Sequence, residues 1–286
     1  MHVGAAHGLV SSSAPDVATS YAEQVAEGRR FANALSEPTS GNMFLMPQQA
    51  AEPVDGGWLL RGAKRFVSGC EIADHFLVNV LVDGVPAFFG VARDETISSA
   101  PVWEAMGMRA TRSQLVSFAG TLLRADRRCV PPEATAANLI SVGLPFLSLG
   151  IARAAVDALA AHARSRFLPS VGDTVASLQW LKFEMAGLHV ALRGAQLMAE
   201  QAAWLADLRD PQATPAAVEA KLAANEVAKQ AAALGVKVGG ASGYLLNSPI
   251  QRHFRDAQAG ALMAYSVEVC SDLVGTWALA ADDATA

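Results

Sequence analysis

The feature that most constrains this chain is a change of hydrophobic period at Pro131-Pro132. Before that point apolar residues form short runs or alternate with period two; after it they recur at intervals of three and four. Phe76-Leu77-Val78-Asn79-Val80-Leu81-Val82 is a largely apolar run that stops at Asp83-Gly84, and Val85 to Val91 follows at once. Two such runs joined by Asp-Gly make a hairpin, because both turn positions accept positive φ. Gln114 to Phe118 alternates as a further strand. The fold class is α+β, and this half predicts an antiparallel, barrel-like β domain over residues 31–130.

Beyond the prolines the pattern predicts four helices. The first spans Ala134 to Arg166, with Leu139, Val142, Phe146, Leu149, Ala152, Val156 and Leu159 on one face and Pro145 kinking or interrupting its first half. The second runs from Thr174 to Leu208 along a stripe of Leu178, Leu181, Met185, Leu188 and Leu192. The third starts with Thr214 as cap and Pro215 at the first helical position and ends near Val238. The fourth covers Asp256 to Leu279. Together they predict a four-helix bundle over 131–286. Residues 1–30 hold only a short helical pattern through Tyr21, Val25 and Arg29, too little to bury its own apolar face. They read as the remnant of a helical domain behind a mobile lead-in that carries His2 and His7.

Composition narrows the function. The chain has 286 residues, 52% of them hydrophobic, and a net charge of -5 with no basic cluster. That balance disfavours a nucleic-acid partner. Three widely spaced cysteines, Cys70, Cys129 and Cys270, show no metal-ligand pattern and suit a reducing compartment. No run reaches about 18 apolar residues, so Leu139 to Ala163 reads as a core helix and not a membrane span. With no signal peptide pattern, a cytoplasmic protein is expected.

Four stretches hold candidate site residues, each with a plain structural reading beside it. Ser36 and Ser68 stand at two strand ends with Phe66 beside the second; alone, they are the edge of a small sheet. Gly239-Gly240 sits at a helix joint, where glycines either end the helix or let a ligand approach bare backbone. Arg164 complements a helix C-terminus or holds a phosphate. Asp256 caps a helix or pairs with an arginine. The histidines are too scattered to read as a metal site.

Taken in order, these residues resemble the acyl-CoA dehydrogenase superfamily of flavoproteins. Leu35-Ser36-Glu37-Pro38-Thr39-Ser40-Gly41-Asn42 is similar to that family's Thr/Ser-Glu-Pro-x-x-Gly-Ser strand end. Gly57-Trp58-Leu59-Leu60-Arg61-Gly62-Ala63-Lys64-Arg65-Phe66-Val67-Ser68-Gly69 is similar to its Gly-x-x-Gly-x-Lys-x-Trp/Phe-Ile-Thr/Ser run, and Gly239-Gly240-x-x-Gly243-Tyr244 with Arg252 and Arg255-Asp256-Ala257 matches its C-terminal motifs. The resemblance implies a helical domain, a β domain and a helical bundle, with FAD (or FMN, supplied reduced by a flavin reductase) between the latter two. It implies that Ser36 and Ser68 bond the flavin and Phe66 packs on it, with Asn42 where serine is usual. It also implies that Arg164 and Phe167 contact the cofactor of a neighbouring subunit, that the Gly239-Gly240 turn lies near the adenine dinucleotide part, and that the chain forms a homodimer or homotetramer. The family's catalytic glutamate position is Ala264 here, and an alternative upstream position falls near Ile140. Glu268 is the nearest carboxylate in sequence, either a replacement base or a solvated helix residue. The implied class is flavin-dependent oxidoreductase. Three readings sit beneath it: two-component monooxygenation of a small aromatic, heterocyclic or sulfur compound; α,β-dehydrogenation of an acyl-CoA with a relocated base; and a non-catalytic scaffold.

Overall fold

A computed structural model describes residues 2–39, 44–130 and 139–280, so the Pro131-Pro132 joint and Asn42 lie outside the described residues. The chain divides into two compact units, the second of which also takes in Met106–Met108. The architecture is α+β, as the sequence implied.

The first unit contains helices α1 (His2–Ser12) and α2 (Pro15–Ala26) and seven strands: β1 (Phe31–Ala34), β2 (Glu52–Val54), β3 (Gly57–Val67), β4 (His75–Val82), β5 (Val85–Ala92), β6 (Ile97–Ala100) and β7 (Gln114–Arg124). They form two sheets, ordered β1-β4-β5 and β2-β3-β7-β6. The expected hairpin closes at Asp83-Gly84, with φ of 51° and 79°. One pairing departs from the antiparallel expectation: β1 runs parallel to β4. The chain leaves β1 to build β2 and β3 in the other sheet before returning, which is the crossover that parallel neighbours require. Leu60, Val116, Phe118 and Leu123 from one sheet and Phe76, Val78, Val80 and Phe89 from the other form the core.

An ion pair is sealed inside this unit. Lys64 and Glu37 both have fully buried side chains, and the lysine Nζ donates to Glu37 Oε1 at 2.7 Å. It donates also to the carbonyl and side-chain oxygens of Asn79, at 2.6 and 3.0 Å. Glu37 accepts the backbone N–H groups of Gln48 and Gln49, and Asn79 Nδ2 donates to the Phe44 carbonyl. Burial lowers the pKa of Lys64, and the charge of Glu37 opposes that shift.

Residues 2–26 are neither a mobile lead-in nor a lone surface helix. Ala5, Ala6 and Leu9 of α1 and Tyr21 of α2 are buried with Phe31, Leu35 and Leu77, so the strands supply the partner surface that two short helices lack alone. Gly90 of β5 permits this, since a Cβ there would run into the Tyr21 hydroxyl. His2 Nδ1 accepts the Phe31 N–H at 3.0 Å. His75 stacks on Phe31 with ring centroids 4.9 Å apart and meets the edge of Tyr21 at 5.7 Å.

The second unit contains α3 (Leu139–Ser165), a two-stranded ribbon of β8 (Phe167–Leu168) and β9 (Asp173–Thr174), α4 (Gln179–Asp207), α5 (Ala213–Tyr244), α6 (Pro249–Leu262) and α7 (Val267–Leu279). Alanines dominate the contacts: Ala152 and Ala155 of α3, Ala195 and Ala199 of α4, and Ala220, Ala224, Ala228 and Ala231 of α5 are all buried. They favour helix and let backbones approach closely. By length and composition α3 is apolar enough to cross a membrane over Ser141–Ser165; here its Leu149, Ala152 and Leu159 lie in the bundle core. Pro145 lies inside a helix that continues past it.

The helix count differs from the expected four. What reads as one fourth helix is α6 and α7, giving five among the described residues. Ser248 caps α6 and Ser266 caps α7. Between them Ala264 and Tyr265 have φ of 25° and 50°, which a right-handed helix does not contain. The Gly239-Gly240 joint lies where the sequence puts it: Gly240, with φ 51° and ψ -145°, is non-helical and kinks the chain, and a short further helical stretch runs on to Tyr244.

Two outcomes follow. Glu37→Gln leaves a buried ammonium without a countercharge and is expected to cost about 3–5 kcal/mol in urea unfolding, with the double substitution Glu37→Gln, Lys64→Met restoring most of it. Burial holds the His75 imidazole below its ordinary range, against the charge of Asp74 and with those of Arg127 and Arg29. The folded state thus takes up this proton less readily than the unfolded one. Stability is full above about pH 6.5 and declines as pH falls below it, and the decline becomes shallower in His75→Phe.

Candidate functional site

The candidate site in the first unit is built by an irregularity in β3. Lys64 pairs with Val116 and Val67 with Gln114, so Arg65 and Phe66 together oppose the single residue Leu115. This is a bulge, and the extra residue turns the strand. Phe66 sits there at φ 58°, a left-handed conformation that is costly for a bulky side chain. The residue is 53% exposed, its ring edge-on to Trp103 at 6.1 Å, with the Arg65 guanidinium 4.7 Å from the ring centre. The Arg65 N–H donates to the Ser36 carbonyl at 2.7 Å, which ties the bulge to the end of β1. Two residues past Phe66, the Ser68 hydroxyl lies 2.7 Å from that of Ser113, which lies 2.8 Å from that of Thr111. The structure therefore brings Ser36, Phe66 and Ser68 together. Asn42 is outside the described residues.

The second unit holds the other predicted residues on its surface. Arg164 is exposed in the last turn of α3, and Phe167 is exposed where β8 begins. The two glycines separate in role. Gly239 is buried, and a Cβ there would press on Ile250 at 2.9 Å; Gly240 is exposed, with nothing within 4 Å of that position. Gly239 serves packing, whereas Gly240 presents bare backbone. Asp256 lies in the middle of α6 and is not a cap: its Oδ1 accepts the Met108 N–H at 2.7 Å, while Arg255 donates to the Met106 carbonyl.

The turn after α6 is held through main-chain atoms. The Gly260 carbonyl accepts from Lys221 Nζ at 3.1 Å and from Asn225 Nδ2 at 3.0 Å, and Ser148 donates to Asn225 Oδ1 at 2.6 Å. Cys270 Sγ donates to the Tyr265 carbonyl at 3.5 Å. All four of these side chains are buried. Burial lowers the pKa of Lys221, opposed by the charges of Cys270 and Glu268. Ala264, half-buried in this turn, offers no acid or base. Glu268 is exposed in the first turn of α7, and hydrogen bonds from Ser266 and from its own backbone hold its carboxyl below the usual range. That is the position a helix N-terminus favours for a carboxylate, and the lowered pKa makes it a weaker base. Among the described residues no cluster of His, Cys, Asp and Glu is placed to hold a metal.

Comparison with known proteins agrees with this layout. A family model described as acyl-CoA dehydrogenase, middle domain, matches residues 32–121, and one described as acyl-CoA dehydrogenase, C-terminal domain, matches residues 142–279. The 3-sulfinopropanoyl-CoA desulfinase of Paraburkholderia xenovorans is 28% identical over 277 residues, covering 89% of this chain and 70% of that protein. The mitochondrial short-chain specific acyl-CoA dehydrogenase of Bos taurus is 27% identical over 237 residues, covering 79% of this chain and 57% of its own length. Thus the chain spans little more than half of that relative. A solved glutaryl-coenzyme A dehydrogenase in complex with glutaryl-CoA superposes with a TM-score of 0.87 at 19% identity, over 97% of this chain and 73% of the other.

The strain at the bulge is measurable. Phe66→Asn, a residue that tolerates positive φ, is expected to raise stability by up to about 1 kcal/mol, whereas the β-branched Phe66→Val lowers it by about 1 kcal/mol or more. Urea midpoints of the three proteins check the ordering.

Proposed function

Because the chain belongs to the acyl-CoA dehydrogenase family, whose members are FAD-binding flavin oxidoreductases, we propose that it is an FAD-dependent enzyme acting on a small acyl thioester without a catalytic base at residue 264. The observation that carries this reading is Ala264 itself. The turn that would present a proton acceptor carries a methyl group, and the nearest carboxylate, Glu268, is engaged at a helix terminus. Removal of a thioester α proton needs a base within hydrogen-bond reach. The relatives quoted above act, by name, on CoA thioesters, and one of them is a desulfinase.

The residues fit a flavin. Phe66 offers a half-exposed ring, the Ser36 carbonyl is tied to its neighbour Arg65, and the Ser68 hydroxyl follows two residues on. Ser68, already sharing a hydrogen bond with Ser113, has a second site free to donate to or accept from a ring edge. The bare backbone at Gly240 and the exposed Arg164 and Phe167 would serve the cofactor of a neighbouring subunit, the guanidinium forking two phosphate oxygens. Bound there, the flavin supplies the two-electron chemistry, and the chain's residues bind, orient and shield it. A second reading, oxygenation of a small aromatic, heterocyclic or sulfur compound by reduced flavin, draws on the same methyl group, because that chemistry also asks for no α-proton acceptor.

Anaerobic mixing of the FAD-loaded protein with a panel of acyl-CoAs, including sulfinyl-substituted ones, separates these readings from plain dehydrogenation. Wild type is expected to leave flavin unreduced by simple saturated acyl-CoAs, and Ala264→Glu to gain reduction by them by at least about a hundredfold, the usual size of a general-base contribution. Rapid bleaching of wild type by saturated acyl-CoAs, abolished in Glu268→Gln, would overturn the proposal and make Glu268 the base. Absence of saturable FAD binding would leave the scaffold reading.

A further inference from the structure

Arg65 is a cation without an anion. Lys64, one residue before it, is paired with Glu37, and Arg112 is paired with Glu71. Arg65 is half-buried, and among the described residues its guanidinium forms no ion pair and its buried Nε finds no acceptor. A buried N–H left unpaired costs free energy, so its retention asks for a reason.

Its placement supplies one. The Arg65 N–H donates to the Ser36 carbonyl, which fixes where the side chain starts at the bulge. The guanidinium then lies over the Phe66 ring, 4.7 Å from its centre. Stacking of this kind uses the face of the guanidinium and leaves the N–H donors around its edge for another partner. Those donors form a planar fork that suits two neighbouring acceptor atoms carrying negative charge. A bland alternative is that the side chain only covers the ring with its stem and its cationic face.

We propose that Arg65 is the residue that stabilises the negative charge of the reduced flavin, and so sets how readily the cofactor accepts electrons. This rests on the reading given above, in which Phe66 packs on FAD. The oxidised isoalloxazine ring is neutral, whereas two electrons and one proton leave a negative charge shared by N1 and the C2 oxygen. Those two atoms lie on one edge of the ring, as a guanidinium fork requires. A cation beside Phe66 favours that charged form over the neutral one, and only such a differential interaction moves an equilibrium.

Sulfite reads the same charge without turnover. Its sulfur lone pair forms a bond to flavin N5, and the displaced electron pair comes to rest on N1 and the C2 oxygen. The FAD-loaded full chain is titrated with sodium sulfite while the visible flavin absorbance is followed, and its reduction potential is measured against a reference dye. Arg65→Met keeps a stem to cover Phe66 and removes the charge; it is expected to weaken sulfite binding about tenfold or more and to lower the two-electron potential by about 30 mV or more. Arg65→Lys, which keeps the charge and loses the fork, is expected to fall between the two. Affinity for oxidised FAD stays close to wild type in both. Unchanged sulfite affinity and potential in Arg65→Met would overturn the proposal and leave the flavin reading intact. Loss of oxidised FAD binding with an unchanged potential would overturn it too, assigning the guanidinium to the cofactor's phosphates. A wild-type chain that binds no FAD would overturn both readings together.

Discussion

The first unit depends on one buried charge pair. Lys64 and Glu37 have no access to water, and their hydrogen bonds reach β3, β4, the segment after β1 and the chain at 44–49. The net energy of such a pair is small, because desolvation offsets most of the attraction. Its effect is on register. Slipping β3 by one residue would carry Lys64 to the opposite face of the sheet, away from Glu37 and Asn79. With Lys64 fixed on one side and Val67 buried on the other, the two residues between must be accommodated opposite one. The bulge, and with it the outward Phe66 ring, follows from where the charge is anchored.

The sequence was legible where structure is local. Strand runs bounded by Asp-Gly and helices marked by three-and-four spacing appear close to their expected places, because periodicity and turn chemistry act within a few residues. Three features were illegible for a common reason. The docking of α1 and α2 needs a glycine on β5, the bulge needs a lysine anchored by a distant glutamate, and the break between α6 and α7 needs a carbonyl gripped from α5. Each is decided by a residue far along the chain. Of the candidate site, Ser36, Phe66 and Ser68 were readable from motif spacing. Ser113, Lys221, Asn225 and Ser148 were not. A lysine set among the alanines of α5 was a signal available in advance, since a charge on a core-facing stripe asks for a partner.

Electrostatics divides the second unit into an inert interior and an active surface. Buried Lys221, Asn225 and Ser148 are used on one another and on the Gly260 carbonyl, while Arg164 and Glu268 lie in the water-accessible layer. At the turn, Lys221 donates to a carbonyl, and burial raises the pKa of the Cys270 thiol.

The grip on Gly260 and Tyr265 has a consequence for how such a protein changes over time. Both ends of the turn are fastened by their carbonyl oxygens, which every amino acid possesses. The side chain at 264 therefore has no duty in keeping the turn's shape. A lineage can exchange the group displayed there, acid for amide or for methyl, without first rebuilding the bundle. Architecture and reactivity are written in separate atoms, so one scaffold can try new reactions a single codon at a time.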